Sequence, residues 1–544
     1  MTSFRPLQSR LALCGVGALS VIVWLWALGT RSLISSDEGR YATLALHVLQ
    51  SGEWITPRLN GLLYFEKPPL GYWFGAVSMA LFGVNEFAAR LWPGLAGLGT
   101  VVLVGYTAKR LWGPRSGVHA LLIAGACTWI NVNSHFLTLD AGLCAAVTLC
   151  LCGVLIAEHA GFQSREGARW MIAAWLGIAL GVLSKGPVAL VIPLGTLIVQ
   201  SLWRRDRAIW AQLHWVAGLC ILAVVTVPWF VLVSIRNPDF AWFFFIHEHL
   251  ARYVTTVHKR EGSWWYYMPI LLAGTLPWTA ALPWLLRPRR NDFAGSLLIV
   301  WVAFIFVFFS ISESKLPSYI LPIFPAIALL AARAFAQATP RALAWFLTLP
   351  VVTWLVAVAL MFHAEQFFAV TTPASAIQAM QRGVALGGAI FLVAAGAGFV
   401  LLRRGRKTAA LTLVALSHGL ATLIVMQSHD AFGQLKSSRT IAQTLRPLVG
   451  EGAPIFAVRD YEHTLPFYLQ RPVTLVDYRD EFAFGEDHEP ARWLPTLDEF
   501  VSQWIRPGQA AAYMQRPTFE ALRARGLPMR IVFEDPRRLV VVKQ

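Results

Sequence analysis

Apolar residues gather in stretches near 11–29, 87–108, 117–133, 140–157, 170–183, 187–203, 211–234, 266–286, 294–311, 317–336, 342–362, 383–402 and 408–427. A helix needs about 20 such residues to cross a hydrocarbon core about 30 Å thick. The pattern therefore predicts about thirteen membrane helices. Gly186-Pro187 separates two of them, because proline lacks an amide donor and clashes with the preceding turn. A shorter apolar run, Gly71–Phe82, carries Tyr72, Trp73 and Phe74. It reads as a helix lying in the outer interface of the bilayer, where aromatic rings favour the headgroup level. Beyond about residue 430 the pattern changes. Strand-like runs at Pro454–Val458, Val473–Val476, Ile531–Phe533 and Leu539–Val542, with a helix between the first two, predict a small α/β domain. The expected division is a transmembrane domain over 1–429 and a soluble one over 430–544, with no internal repeat and no low-complexity segment.

Lysine and arginine orient these spans. Alternate connections carry Arg5/Arg10, Lys109/Arg110/Arg115, Arg165/Arg169, Arg204/Arg205/Arg207, Arg287/Arg289/Arg290, Arg341 and Arg403/Arg404/Arg406/Lys407. The positive-inside bias makes them cytoplasmic, which places the N-terminus inside and the C-terminus outside. Counting Gly71–Phe82 as a span would invert every later loop. The stretch Leu11–Leu28 behind Arg5 and Arg10 resembles a signal peptide but reads as an uncleaved first span, since no convincing small-residue cleavage site follows.

Composition agrees. Of 544 residues, 56% are hydrophobic and 14% charged, and mean hydropathy is +0.55. Such a chain has too little polar surface to clothe itself in water. The net charge of +16 would point to nucleic acid in a soluble protein; here it resides in the short loops that set topology, so no nucleic-acid partner is expected. Cys14, Cys127, Cys144, Cys150, Cys152 and Cys220 all fall in apolar stretches without zinc or redox spacing, and read as small buried side chains.

The remaining charges fall on the outer side. Asp37, Glu38 and Arg40 open the first outer loop in Ser36-Asp37-Glu38-Gly39-Arg40-Tyr41, and Tyr64-Phe65-Glu66-Lys67-Pro68-Pro69 follows. Asp140 starts the fourth span, Lys185 lies in Ser184-Lys185-Gly186-Pro187, His247, Glu248, His249 and Arg252 lie in a second outer loop, and Glu313, Lys315 and Tyr319 lie between the ninth and tenth spans. Plain structural readings exist: Asp37-Glu38 or Asp140 as helix caps, Lys185 snorkelling to the interface, Glu66-Lys67 as an ion pair, and the histidines as exposed loop residues. Their shared depth argues for more. A charge at a helix centre costs about 2.5–3.5 kcal/mol on insertion scales, so Asp140 and Lys185 are expected to line a cavity. Cations there suit a phosphate leaving group, carboxylates suit a hydroxyl or amine, and an apolar wall suits a lipid tail.

Ser-Asp-Glu-Gly-Arg-Tyr-Ala, followed by Tyr-Phe-Glu-Lys-Pro-Pro-Leu-Gly-Tyr-Trp, resembles the aminoarabinose transferases, GT-C membrane glycosyltransferases related to the protein O-mannosyltransferases. The resemblance covers nearly the whole chain and implies a mainly α GT-C fold of about thirteen transmembrane helices with a C-terminal periplasmic α/β domain. It implies transfer of 4-amino-4-deoxy-L-arabinose from undecaprenyl phosphate to lipid A phosphates at the periplasmic face of the bacterial inner membrane, giving resistance to polymyxin and cationic peptides. Carried over, Asp37 is the central carboxylate, with Glu38 beside it and Asp140 as the second acid. Lys67, Lys185 and Arg252, with Arg40, Tyr64 and Tyr319, hold the donor phosphate. No cofactor is obligatory, although Glu66 with His247 would be the residues to hold a divalent ion such as zinc. Gly39 stands where many members have threonine. The expected partners are the lipid-linked donor, lipid A and the bilayer; the oligomeric state is left open, a monomer being compatible with the sequence. Rival readings are another polyprenyl-phosphate sugar transferase of the protein O-mannosyltransferase kind, and a flippase of lipid-linked sugars. A flippase would place its charges near the midplane on repeated, broken helices.

Overall fold

The protein, seen in a computed structural model, is described over residues 5–251, 262–287, 292–369 and 372–544. It divides into two compact units. The first comprises 1–30, 90–367 and 378–428; the second comprises 31–89, 368–377 and 429–544. The expected cut near 430 is therefore only part of the division. The first loop, 31–89, belongs with the C-terminal region because its backbone is tied there: Ser32 N bonds Asp430 Oδ1 at 2.9 Å, Leu33 N bonds the Tyr468 hydroxyl at 2.7 Å, and Ser35 N bonds Lys436 O at 2.8 Å.

The first unit is helical. Among the described residues nine helices are long and apolar enough to cross a membrane, or ten if the bent pair Tyr267–Gly274 and Thr279–Leu285 is one span. Three of the thirteen predicted stretches fall short. Val188–Arg204 has 17 residues, the first helix, Arg5–Trp26, counts only as the shorter apolar segment Gly15–Gly29, and the stretch 117–133 is broken at Cys127 into Pro114–Ala126 and Thr128–Ser134. The break is satisfied by the bent pair. Cys127 Sγ and Thr128 N donate to Gly274 O and Leu276 O at 3.0 and 3.1 Å, and Trp278 Nε1 donates to Ile123 O at 3.1 Å. Irregular backbone at membrane depth is tolerated when its polar groups are paired inside protein in this way. Cys220 contradicts the buried reading of the cysteines; it is exposed, on the helix Trp215–Arg236.

Helices Asp140–Ala160 and Arg165–Lys185 pack closely along their length. Each has 21 residues, about 31 Å at 1.5 Å per residue, enough to cross the hydrocarbon core. Gly153 and Gly177 let the backbones meet. A Cβ on Gly153 would lie 2.8 Å from Trp170 O, and one on Gly177 would lie 2.8 Å from Ala146 O. Lipid tails are as apolar as the helices, so association rests on this close contact rather than on escape from water.

The second unit holds the helix Asp37–Ser51, a hairpin of β1 (Arg58–Leu59) and β2 (Leu62–Leu63), the helix Leu70–Phe82 and a five-stranded sheet. Asn60 and Gly61, at φ of 53° and 86°, form the tight turn that a two-residue hairpin requires. The Asn60 amide also pairs with both backbone groups of Val473, at 2.7 and 2.8 Å. The sheet contains β3 (Ile455–Val458), β4 (Thr474–Val476), β5 (Ala511–Met514), β6 (Met529–Glu534) and β7 (Leu539–Lys543), in the order β4-β3-β5-β7-β6. β4, β3 and β5 run parallel, whereas β7 and β6 pair antiparallel. Phe456, Phe500, Trp504, Met514 and Val541 centre its core.

Candidate active site

In the first unit the antiparallel helix pair assembles one cluster. Asp140 is the first residue of one helix and Lys185 the last of the next, so both stand at the same end of the pair. The field of each helix favours its own charge, an acid at the N-terminus and a base at the C-terminus. Arg165 lies at the opposite end, beside the connecting turn. Lys185 Nζ forms an ion pair with Asp140 Oδ1, Ser318 donates to Asp140 Oδ2 at 2.9 Å, and Lys185 lies 4.9 Å from the Tyr319 ring centroid. Both charged side chains are largely buried, 8% and 14% exposed. Asp140 makes no capping bond; the residue before it, Leu139, occupies the cap position. Ser318 is an addition that sequence alone did not single out, although it adjoins Tyr319. Nearby, the buried Lys315 donates to Ser312 O at 2.6 Å.

His247 Nδ1 lies 3.2 Å from the buried Glu248 carboxylate, whereas Arg252 falls outside the described residues. Among the described residues no group of three or more His, Cys, Asp or Glu could hold a metal ion. Glu66 and His247, the expected pair, belong to different units.

In the second unit Asp37 and Glu38 open the Asp37–Ser51 helix. Glu38 reaches back to accept from Ile34 N at 3.1 Å. Asp37 is 41% exposed and takes one contact from Arg40, one turn on, at 2.7 Å. Arg40 is otherwise buried, and its Nε meets Glu481 at 2.6 Å. Burial alone would lower the pKa of Arg40, but Tyr64, Glu481, Asp37 and Glu66 together raise it above its ordinary value. Burial likewise works against an ionised Glu481, and Arg40 and His463 overcome it, holding the carboxyl well below its usual range. The Tyr64 hydroxyl is buried, and no hydrogen-bond partner is found for it among the described residues. Lys67 Nζ donates to Glu66 O at 2.8 Å. Gly39 has a structural reason: a Cβ there would lie 2.5 Å from the His463 backbone, closer than any real contact.

The second unit thus groups Asp37, Arg40, Tyr64 and Glu66, and adds Glu481 and His463. Nothing in the sequence flags these last two, since they lie more than 400 residues along the chain from the residues they hold.

The arrangement is matched in known proteins. Residues 441–543 match the aminoarabinose transferase C-terminal domain, and residues 16–244 match dolichyl-phosphate-mannose-protein mannosyltransferase. The undecaprenyl phosphate-alpha-4-amino-4-deoxy-L-arabinose arabinosyl transferase 2 of Sodalis glossinidius is 32% identical over 508 residues, 90% of each chain. The corresponding enzyme of Pseudomonas aeruginosa is 34% identical over 322 residues, 58% of each. Crystal structures of ArnT from Cupriavidus metallidurans, bound to undecaprenyl phosphate and in the apo state, superpose with TM-scores of 0.93 at 35% and 34% identity. They cover 97% and 98% of both chains. The chain is therefore a multi-pass membrane glycosyltransferase of the GT-C fold, and it belongs to the family of undecaprenyl phosphate-aminoarabinose arabinosyl transferases.

Proposed function

We propose that this enzyme transfers 4-amino-4-deoxy-L-arabinose from undecaprenyl phosphate to the phosphates of lipid A, at the periplasmic face of the bacterial inner membrane. The observation that carries the reading is the buried Lys185–Asp140 pair at one end of two membrane-length helices. It sits in a chain that is 35% identical, over 97% of its length, to a protein crystallised with undecaprenyl phosphate. A lysine beside a tyrosine ring at that depth suits a phosphate on a lipid anchor: the cation meets the anion and the apolar wall meets the tail.

The chemistry needs little more. The bond from the sugar's anomeric carbon to the donor phosphate breaks, and its electron pair leaves with undecaprenyl phosphate. A lipid A phosphate oxygen forms the new bond. That acceptor is an anion at neutral pH, so no general base is required. Lys185 and Tyr319, with Arg252, serve the donor phosphate, neutralising charge that grows as it departs. Asp37, half-exposed and oriented by Arg40, stabilises positive charge developing on the sugar ring or receives its ammonium group. Transfer is a single displacement with inversion. The reaction calls for no resident cofactor. Adding an amine to a phosphate lowers the acceptor's negative charge, which accounts for resistance to polymyxin and cationic peptides.

A protein O-mannosyltransferase reading is favoured only by the match over residues 16–244, while the match over 441–543 favours aminoarabinose. Purified enzyme incubated with undecaprenyl phosphate-aminoarabinose and lipid A tests the reading. Modified lipid A and released undecaprenyl phosphate are expected, and neither from Asp37→Asn. Trapping the sugar covalently on Asp37 or Asp140 contradicts the single displacement, and no product from the wild type contradicts the substrate assignment.

A further inference from the structure

The region 31–43 carries the charged motif, and besides its own contacts it is held by residues far along the chain. Gly39 packs against the backbone of His463, the Thr43 hydroxyl donates to His463 O at 3.3 Å, and Ser35 Oγ lies 3.3 Å from His463 Nδ1. His463 Nε2 pairs with Glu481, whose other oxygen lies 2.6 Å from Arg40 Nε as an ion pair without hydrogen-bond alignment. Arg40 in turn holds Asp37 through Nη1. One chain of contacts therefore runs from Ser35 through His463, Glu481 and Arg40 to Asp37, and returns to the same helix turn.

Its burial is graded. Glu481, His463 and Arg40 are 8%, 10% and 10% exposed at the side chain, while Asp37 is 41% exposed. The protected members fix geometry and the open member is left to meet a ligand. A buried carboxylate between a guanidinium and an imidazole is a poor way to gain net stability, because desolvating the charges offsets their attraction. It does localise the guanidinium, which stays charged and cannot leave the pair by giving up its proton.

We infer that Glu481 and His463 are positioning residues for sugar transfer: they lock Arg40, and through it the Asp37 carboxylate, so that the C-terminal domain is part of the catalytic apparatus. The inference rests on the transferase reading above. It assigns the C-terminal domain a task that a separate acceptor-binding module would not have. Loss of the clamp should slow the chemical step and leave donor binding to Lys185 and Tyr319 unaffected.

Kinetics of Glu481→Gln, Glu481→Asp and His463→Gln in the purified full-length enzyme test this, each corrected for folded protein. Glu481→Gln and His463→Gln are expected to lower kcat by about tenfold or more with donor KM unchanged within about threefold, because an interaction needed only for reaction geometry has been removed. Glu481→Asp, which keeps the charge, is expected to recover much of that loss. Arg40→Gln and Glu481→Gln combined should cost far less than the product of their separate effects. Hydrogen exchange at the amides of residues 35–43 should quicken in Glu481→Gln. An unchanged kcat in both Glu481→Gln and His463→Gln overturns the proposal, as does a loss that Glu481→Asp does not relieve. Exchange needs no substrate. If the wild type transfers no aminoarabinose the functional reading fails, while unaltered exchange over 35–43 in Glu481→Gln defeats the clamp by itself.

Discussion

Lys185 is the residue whose position asks most of the fold. It ends a membrane-length helix, largely buried, against Asp140, with the Tyr319 ring 4.9 Å away. Snorkelling is excluded, because the ammonium turns to a carboxylate rather than toward solvent. Breaking such a pair commonly costs a few kcal/mol, yet here the chemistry should suffer more. Lys185→Ala is expected to reduce transfer at least about 100-fold, the scale for losing a preorganised charge at a leaving group. Gel filtration should show it still monodisperse; near-normal polymyxin resistance in cells carrying it would count against the site. A second residue prediction concerns Glu486. Its carboxyl is fully buried, neither oxygen has a hydrogen-bond partner among the described residues, and Arg479 comes no closer than 3.8 Å. Burial pushes it up to about 7 against the opposing pull of Arg479. Since the folded pKa exceeds the unfolded value of about 4.3, this group's contribution to stability is full below pH 4.3 and is lost as pH rises through about 7. Glu486→Gln should therefore raise the melting temperature at pH 8, by the equivalent of up to about 3–4 kcal/mol, with little change at pH 4. Equal effects at both pH values would refute the assignment.

At the scale of elements, the helices were legible because a membrane imposes one period and one length. All thirteen apolar stretches are mainly helical in their described residues; the breaks at Cys127 and within 267–285 escaped notice, and the helix expected from 211 begins only at Trp215. Both depend on backbone groups of one broken helix meeting those of another, which no local pattern encodes. β5 was missed for a different reason. Ala511-Ala512-Tyr513-Met514 lacks β-branched residues and is buried on both faces, so it shows no alternation. Asn60-Gly61 does carry a turn signal, but strands of two residues are too short to display a period. Of the candidate site, the charged residues were visible because charge is rare in such sequence. Ser318, His463 and Glu481 were not, because serine, histidine and glutamate are unremarkable where they occur. The glycines of the Asp140–Ala160 and Arg165–Lys185 pair matter at this scale too. Gly177→Leu would drive a side chain into Ala146 O and the Cys150 amide, which are backbone and cannot step aside. A loss of about 1–3 kcal/mol or more is expected, read as a lower melting temperature in detergent. Gly99→Ala, with open space around its Cβ, is the control and should be silent.

For the whole molecule, the account requires a sidedness. The proposed reaction needs the basic loops to face the cytoplasm, and the helix ends bearing Lys185 and the C-terminal domain to face the periplasm. Alkaline phosphatase fused after residue 205 should be inactive in cells, and the same enzyme fused after residue 544 should be active. The opposite pattern would invert the topology and remove the periplasmic reaction. The central claim is the transfer itself, and mass spectrometry of lipid A from cells with and without the gene tests it most directly. The account predicts a species heavier by one aminoarabinose unit on a phosphate only when the gene is present, and lost again with Lys185→Ala. Identical lipid A in both strains, with a glycosylated protein appearing instead, would contradict it.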